Sequence, residues 1–169
     1  MTIYSVLANS ISAGIQDDIT SPGRAYSHLK IIADSREQKP LWIPPDCKKE
    51  GLIVGDYTTK RLRYSFIVER KSPGDLYGTI TAGHPRFKRE IKRAIEHNIE
   101  LVVYVECSRQ DFINKRFPGG RKRKYPGEGL DRIVRTLERR YSLEFVWCKN
   151  REETKKKILQ RFKKEEQRL

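Results

Sequence analysis

The chain has 169 residues and a formal net charge of +14, because 36 Lys and Arg residues stand against only 22 Asp and Glu residues. That length suits one domain with a single sizeable core, and a hydrophobic content of 37% argues against wholesale disorder. No run approaches the roughly 18 apolar residues of a membrane span, and the three separate cysteines form no CxxC pair of the kind found in zinc ribbons. The positive charge favours a polyanionic partner, and nucleic acid is the commonest polyanion in a cell.

The first half of the chain is predicted to be mainly β-structure. Residues 1 to about 28 are rich in Ser, Gly, Thr and Asp, which is typical of an arm or a short extra element ahead of a domain over residues 29–169. Short apolar runs predict buried strands at 29–33 and 52–54. A run rich in aromatic and β-branched residues predicts a third strand at 64–70.

Helices and strands alternate in the second half. Ser72, followed by Pro73 and by Asp75 three residues after the serine, is typical of a helix start. The elements predicted beyond it are a helix at 85–97, a strand at 101–105, a short helical turn at 111–116, a helix at 130–141, a strand at 143–148 and a terminal helix capped by Asn150. Strands that alternate with helices indicate an α/β sandwich, with a central mixed sheet flanked by helices.

Two carboxylates and a lysine are predicted to meet where the second and third strands end. Asp56 follows the second strand, and Glu69 and Lys71 share one face of the third strand, with Arg70 opposite. A hairpin of these strands would bring Asp56 close to Glu69, while Asp34 arrives from the first strand. Carboxylates bind a hard cation such as Mg²⁺, and a lysine positions a nucleophile or stabilises charge, which is what metal-dependent phosphodiester hydrolysis needs. Taken singly, Asp56 is typical of a turn residue, and Glu69 with Lys71 of a solvated strand pair.

The same residues form a recognisable motif. Gly55-Asp56-Tyr57 and the segment 68–76 (VERKSPGDL) resemble the signature of the XPF-type structure-specific endonucleases, which runs Gly-Asp, a variable gap, Glu-Arg-Lys, three residues and Asp. The segment 34–37 (DSRE) resembles the Asp-x-Arg-Glu element upstream in that family, and the resemblance extends over about residues 31–105. It implies a restriction-endonuclease-like fold, which is a three-layer α/β sandwich. It also implies Mg²⁺- or Mn²⁺-dependent cleavage of branched or flapped DNA near single-strand/double-strand junctions.

The resemblance implies roles for seven residues. Asp56 and Glu69 would bind the metal, and Asp34 would assist them directly or through water. Lys71 would orient the attacking water or stabilise charge. The residues that would support the site or hold phosphate are Arg36, Arg70 and Asp75.

A basic loop is predicted at 115–127. Its cations suit contacts with phosphate, and Phe117 or Tyr125 would stack on an exposed base. The alternatives for this segment are a solvated loop or, in a eukaryote, a nuclear localisation signal. The candidate DNA-binding residues are Lys115, Arg116, Arg121, Lys122, Arg123 and Lys124.

Partners and location follow from the resemblance and from the composition. Members of the family usually carry a tandem helix-hairpin-helix module that binds DNA and dimerises. We expect no such module within these residues. A homodimer would therefore pair through the domain's own helices. We expect DNA rather than a membrane as the partner. No signal peptide is expected, and the predicted location is intracellular: cytoplasm or nucleoid for a prokaryotic or viral protein, nucleus for a eukaryotic one.

Two alternative functions stand beside the nuclease. The first is a catalytically silent DNA-binding partner subunit; the resemblance argues against it, because such partners typically lose acidic motif residues and every motif position is filled here. The second is a basic RNA-binding or ribosome-associated module, which gives no reason for the motif residues to occur together.

Overall fold

A computed structural model of the chain describes residues 28–169. The predicted arm over residues 1–28 lies outside the described residues, apart from His28, and the domain boundary at residue 29 stays a prediction. The strands are β1 (Ile31–Asp34), β2 (Lys48–Glu50), β3 (Tyr57–Thr59), β4 (Phe66–Lys71), β5 (Glu100–Val105) and β6 (Glu144–Trp147). The helices are α1 (Pro73–Ile80), α2 (His84–Glu96), α3 (Arg109–Ile113), α4 (Gly127–Tyr141) and α5 (Arg151–Glu166), with a short 3-10 turn at Gly120–Lys122.

The six strands form one mixed sheet in the order β2-β1-β3-β4-β5-β6. β3 is antiparallel to both of its neighbours, and every other pair of adjacent strands is parallel. The end of β1, the start of β3 and the end of β4 therefore lie at the same edge of the sheet. The acids at these three strand ends are brought together by the topology.

Helices cover both faces of the sheet, which confirms the predicted three layers. Alternate residues of β4 and β5 face two apolar cores. Ile67 and Val103 pack with α1, α2 and α4 on one face, whereas Val68 and Tyr104 pack with α5 on the other. Between residues 28 and 169, no helix combines the length and the apolar character needed to cross a membrane.

The predicted strand at 52–54 is wrong. Leu52 is buried, but side chains rather than a neighbouring strand bind its backbone: its N–H donates to Asp34 Oδ2 at 2.7 Å, and its carbonyl accepts from Arg36 Nη2 at 3.0 Å. The strands actually formed in this region are β2 and β3, whose Lys-Lys-Glu and Tyr-Thr-Thr sequences lack an apolar run. Their pairing is set by distant partners in the sheet, which local patterns do not reveal.

The capping residues predicted for two helix starts are confirmed. Ser72 Oγ accepts a hydrogen bond from the N–H of Asp75, and the side chain of Asn150 accepts one from the N–H of Glu153. Asn98, just beyond α2, has a φ of 54°, the left-handed geometry that commonly ends a helix. The three cysteines are buried and free.

Candidate functional site

The candidate site lies at the sheet edge where β1 and β4 end and β3 begins. The N–H of Asp34 donates to the carbonyl of Asp56 at 2.7 Å, and the N–H of Asp56 donates to the carbonyl of Val68 at 2.8 Å. These two bonds place the backbones of the first and second acids side by side, next to Glu69. The hairpin that brings Asp56 to Glu69 is formed by β3 and β4.

A glycine fixes the turn that presents Asp56. Gly55 has a φ of +69°, and a Cβ at this position would lie 2.6 Å from Ile67 Cγ2 and 3.0 Å from the carbonyl oxygen of Val68. Only glycine fits this combination of left-handed backbone and close approach to β4. The Gly-Asp pair of the motif therefore has a structural reason.

Asp56 and Glu69 are the two carboxylates of the site whose pKa is raised by burial. Burial raises the pKa of Asp56 to about 6, although a hydrogen bond of 2.8 Å from the N–H of Arg70 and the charge of Lys71 act in the opposite direction. Burial also raises the pKa of Glu69 to about 8, and the neighbouring charge of Asp56 adds to the effect. The charge of Asp56 thus disfavours the ionised form of Glu69, whose side chain is buried.

Lys71 is the positive charge beside them. It forms an ion pair with Glu69 on the face of β4 that the alternation of the strand predicts. Burial opposes the charge of the ammonium, but the Glu69 carboxylate outweighs it and the pKa of Lys71 is raised. Lys71 is therefore held charged next to two carboxylates.

The backbone of Asp34 lies at the site, but both oxygens of its carboxylate accept hydrogen bonds from Arg36 and Leu52. Oδ1 accepts from Arg36 N at 2.8 Å and from Arg36 Nε at 2.7 Å, while Oδ2 accepts from Arg36 Nη2 at 2.9 Å and from Leu52 N at 2.7 Å. Burial acts to raise the pKa of Asp34, but these donors outweigh it and the pKa is lowered. Four donors on two oxygens saturate this carboxylate. It therefore holds Arg36 and Leu52 in place and has no free oxygen for a metal ion.

Arg70 lies on the opposite face of β4, as predicted. Its guanidinium contacts Glu37 at 3.2 Å and Glu106 at 3.2 Å, and Arg151 also contacts Glu106 at 3.0 Å. Burial opposes the charge, but Glu37 and Glu106 outweigh it and raise the pKa of Arg70 above its already high usual value. The Arg70 side chain is buried in this network, so its guanidinium is committed to internal ion pairs, and its N–H forms the hydrogen bond to Asp56.

Asp75 begins α1 at an exposed position. Its N–H donates to Ser72 Oγ at 3.2 Å, and the Ser72 hydroxyl donates to Asp75 Oδ2 at 2.6 Å. The structure therefore gives Asp75 the helix-capping role, and the side-chain hydrogen bonds of the described residues do not connect it to Asp56 or Glu69.

Glu90 was not predicted from the sequence. It projects from α2, and its Oε1 accepts a hydrogen bond of 3.2 Å from the N–H of Gly55. Its charge also contributes to the raised pKa of both Glu69 and Lys71. The available signal was its helical register: residue 90 follows the buried Phe87 by three positions, so a carboxylate lies at the edge of the apolar face of the helix.

The donor set fits a divalent cation of the Mg²⁺ type. Among residues 28–169, no three or more His, Cys, Asp or Glu side chains are grouped closely enough to form a complete ion cage. Mg²⁺ does not require one, since it is usually held by one or two carboxylates together with substrate phosphate and water. Asp56 and Glu69, two hard oxygen donors short of positive charge, provide that minimum.

The predicted basic loop packs on α1, the helix that follows Lys71 in the chain. Arg123 lies over the ring of Tyr77 in α1, at 4.9 Å from its centroid, and the N–H of Tyr125 donates to the Tyr77 hydroxyl at 3.1 Å. Lys115 Nζ closes the loop by donating to the carbonyl of Arg123 at 3.1 Å. Of the six predicted DNA-binding cations, Lys115 is half-buried and the others are exposed.

The two aromatic residues of the loop differ. Phe117 is half-buried and stacks on the buried Phe112 with a centroid distance of 5.8 Å, so it serves the core. Tyr125 is 42% exposed and is available to a base. A concavity of about 460 Å³ in the loop is lined by Lys115, Arg116, Phe117, Pro118, Gly119, Arg121 and Lys122.

Comparisons with known proteins identify the family. The model of the ERCC4 domain matches residues 31–160. The solved structure "XPF from Aeropyrum pernix" has a TM-score of 0.63 to this chain at 21% identity, and "XPF from Aeropyrum pernix, complex with DNA" has 0.60 at 20%. Each match covers 83% of this chain and 66% of the other, so this chain spans just under two thirds of their length. Curated proteins give no match. The chain belongs to the ERCC4 domain family, as an XPF-type domain with the restriction-endonuclease-like fold predicted from its motif.

Proposed function

We propose that this domain is a metal-dependent DNA endonuclease that hydrolyses phosphodiester bonds in branched, flapped or junction DNA. Members of the ERCC4 domain family are nucleases, and one structural relative was solved in complex with DNA. The observation that carries the proposal is the pairing of Asp56 and Glu69 beside Lys71 at the sheet edge, with the pKa of each carboxylate raised by burial.

Each residue of the pair would act through a contact already described. Asp56 and Glu69 would bind Mg²⁺ or Mn²⁺, and the Arg70 N–H would hold the Asp56 carboxylate in position. The cation supplies Lewis acidity and neutralises the charge that builds on the scissile phosphate. Lys71 would donate to the attacking water or to the phosphate, and its ion pair with Glu69 keeps it charged and in place.

The other predicted residues would support the site. Asp34, whose oxygens bind Arg36 and Leu52, would act through a water or by holding Arg36 at the sheet edge. Arg36 is exposed and free to contact phosphate with its outer edge, whereas Asp75 would fix the start of α1. A homodimer that pairs through the domain's own helices stays a prediction, which mass photometry tests.

Cleavage of labelled DNA tests this function. The protein is incubated with splayed-arm, flap and four-way DNA in Mg²⁺, Mn²⁺ or EDTA, alongside Asp56→Asn, Glu69→Gln and the control Glu152→Gln. Glu152 is an exposed carboxylate on α5, across the sheet from the site. We expect metal-dependent cuts that Asp56→Asn and Glu69→Gln abolish without loss of DNA binding, and that the control retains.

Two results would contradict the proposal. Wild-type protein that binds these DNAs but cuts none of them in either metal would instead support a silent DNA-binding subunit. Cleavage that survives both active-site substitutions would show that the reaction occurs elsewhere.

A further inference from the structure

Helix α2 carries a cationic face. Five cations fall within eight residues, and at 3.6 residues per turn they occupy an arc of roughly 160°. The opposite side of the helix carries the buried Phe87, Ile91 and Ala94. The cations are Arg86, Lys88, Arg89, Lys92 and Arg93.

These cations are not neutralised within the described part of the chain. None of the five forms an ion pair with any residue between 28 and 169, and all but the half-buried Lys88 are exposed. In α5, by contrast, Arg161 alone contacts three carboxylates. Of the two acids on α2, Glu90 is turned toward Gly55 and Glu96 is exposed without an ion pair among those residues.

Like charges three or four positions apart repel one another on a helix. The cationic face of α2 contains such pairs throughout, for example Arg86 with Arg89, and Arg89 with Arg93. Such like-charge pairs destabilise a helix. An array of negative charges on a partner would relieve this repulsion along the whole face.

The cationic face adjoins the candidate site. Glu90 on α2 binds the N–H of Gly55, the residue before Asp56, and the Phe87 ring centroid lies 6.0 Å from Lys71 Nζ. Helix α1, which starts just after Lys71, packs against both α2 and α4. The basic loop also packs on α1, through Tyr77. Two cationic surfaces therefore border α1, and the start of that helix follows the site directly.

We propose that the cationic face of α2 binds the phosphate backbone of a double-stranded DNA arm and guides it to the site. This inference rests on the proposed function. The rise from Arg86 to Arg93 is about 10 Å, a span in which duplex DNA carries roughly six phosphate charges. The cationic face has no exposed Phe, Tyr or Trp on which a base would stack, whereas the basic loop has Tyr125. A rigid row of cations without a stacking ring fits the backbone of a duplex better than a single strand.

The experiment compares two variants with the same change in net charge. The α2 variant is the triple substitution Arg86→Gln, Arg89→Gln, Arg93→Gln. The control is Lys156→Gln, Lys163→Gln, Lys164→Gln, three exposed lysines on α5 across the sheet that form no ion pair among the described residues. Binding to a short blunt duplex and to one of its single strands is followed by fluorescence anisotropy in EDTA over a range of salt concentrations.

The expected result is a change in salt dependence for the α2 variant alone. Each lost phosphate contact makes the negative slope of log K against log salt shallower by about 0.9 in duplex DNA. The slope of the α2 variant should therefore be shallower than that of wild type by up to about 2.7. The control should keep the wild-type slope, and binding of the single strand should change less than binding of the duplex. A triple Arg→Lys variant at the same α2 positions should retain most of the slope, since the charges remain.

Equal losses in both triple variants would overturn the inference, because the effect would then be one of net charge alone. An unchanged slope in the α2 variant would overturn it as well. Binding is measured without metal, so the two proposals fail separately. Wild-type protein that does not cut DNA would contradict only the proposed activity. An α2 variant that keeps the salt dependence of wild type would contradict only this inference.

Discussion

Replacing Gly55 by alanine should destabilise the fold and displace Asp56. The left-handed backbone at φ +69° costs an alanine about 1–2 kcal/mol, of which the lower chain entropy of the unfolded state offsets roughly 0.4–1 kcal/mol. The added Cβ would lie 2.6 Å from Ile67 Cγ2, a branch methyl of a side chain that is 1% exposed, so β4 itself must shift. Overpacking of this kind typically costs about 1–3 kcal/mol, which gives a total of about 1–4.5 kcal/mol.

Gly119→Ala is the matched control for the steric part. Gly119 has a φ of +74°, almost that of Gly55, but a Cβ added there would meet nothing within 4 Å, so only the backbone cost of about 1 kcal/mol applies. In urea denaturation, the slope is about 2 kcal/mol per M for a domain of this size. The midpoint should therefore fall by about 0.5–2 M for Gly55→Ala and by about 0.5 M or less for the control. Equal shifts in the two variants would refute the close approach to β4. Gly55→Ala should also lose cleavage at temperatures where it is folded, because Asp56 moves with β4.

Two further substitutions test the electrostatics of the site. In EDTA, wild-type protein should lose stability relative to Glu69→Gln as the pH rises from about 5 to about 9, because a raised pKa means that the folded state binds more protons than the unfolded state in this window. Urea midpoints across pH measure this, and a constant difference would contradict a buried, destabilised carboxylate. Asp34→Asn should cost about 1–3 kcal/mol at neutral pH through the weakened bonds to Arg36 and Leu52. Because the pKa of Asp34 is lowered, that stabilisation is present above the ordinary carboxyl pKa and is lost as the pH falls through the lowered value. An Asp34→Asn variant as stable as wild type at neutral pH would contradict the structural role of this carboxylate.

The sequence predicted the elements whose signals are local. Apolar runs located β1, β4, β5 and β6, and helix-capping side chains located α1 and α5. β2 and β3 were missed because their three-residue sequences are polar or mixed, and their strand character comes from pairing with β1 and β4. The false strand at 52–54 has the converse cause, since its apolar side chains are buried while its backbone serves Asp34 and Arg36.

The candidate site was predicted as a set of residues, but its contacts were not. The motif predicted Asp56, Glu69 and Lys71 together, but they meet through the pairing of β3 with β4 rather than through the predicted strand at 52–54. It did not reveal that Asp34 is saturated by its own neighbours, since a carboxylate that binds a cation and one that fastens a loop look the same in sequence. Nor did it reveal Glu90, which reaches the site from α2, 35 residues beyond the glycine whose N–H it binds.

The two faces of β4 show why the cation is proposed where it is. On the face of Arg70, the carboxylates of Glu37 and Glu106 are matched by the guanidinium groups of Arg70 and Arg151, so the network is compensated and needs no ligand. On the face of Glu69, Lys71 forms an ion pair with Glu69, while burial raises the pKa of both Asp56 and Glu69. The charges of Asp56 and Glu90 add to the effect on Glu69. Two adjacent residues of β4, Glu69 and Arg70, therefore face different surroundings. Arg70 lies in a compensated network of ion pairs, whereas Glu69 lies beside a second carboxylate whose charged form is also disfavoured. A divalent cation would stabilise the charged forms of Asp56 and Glu69 on the second face, which is also the face that α2 covers.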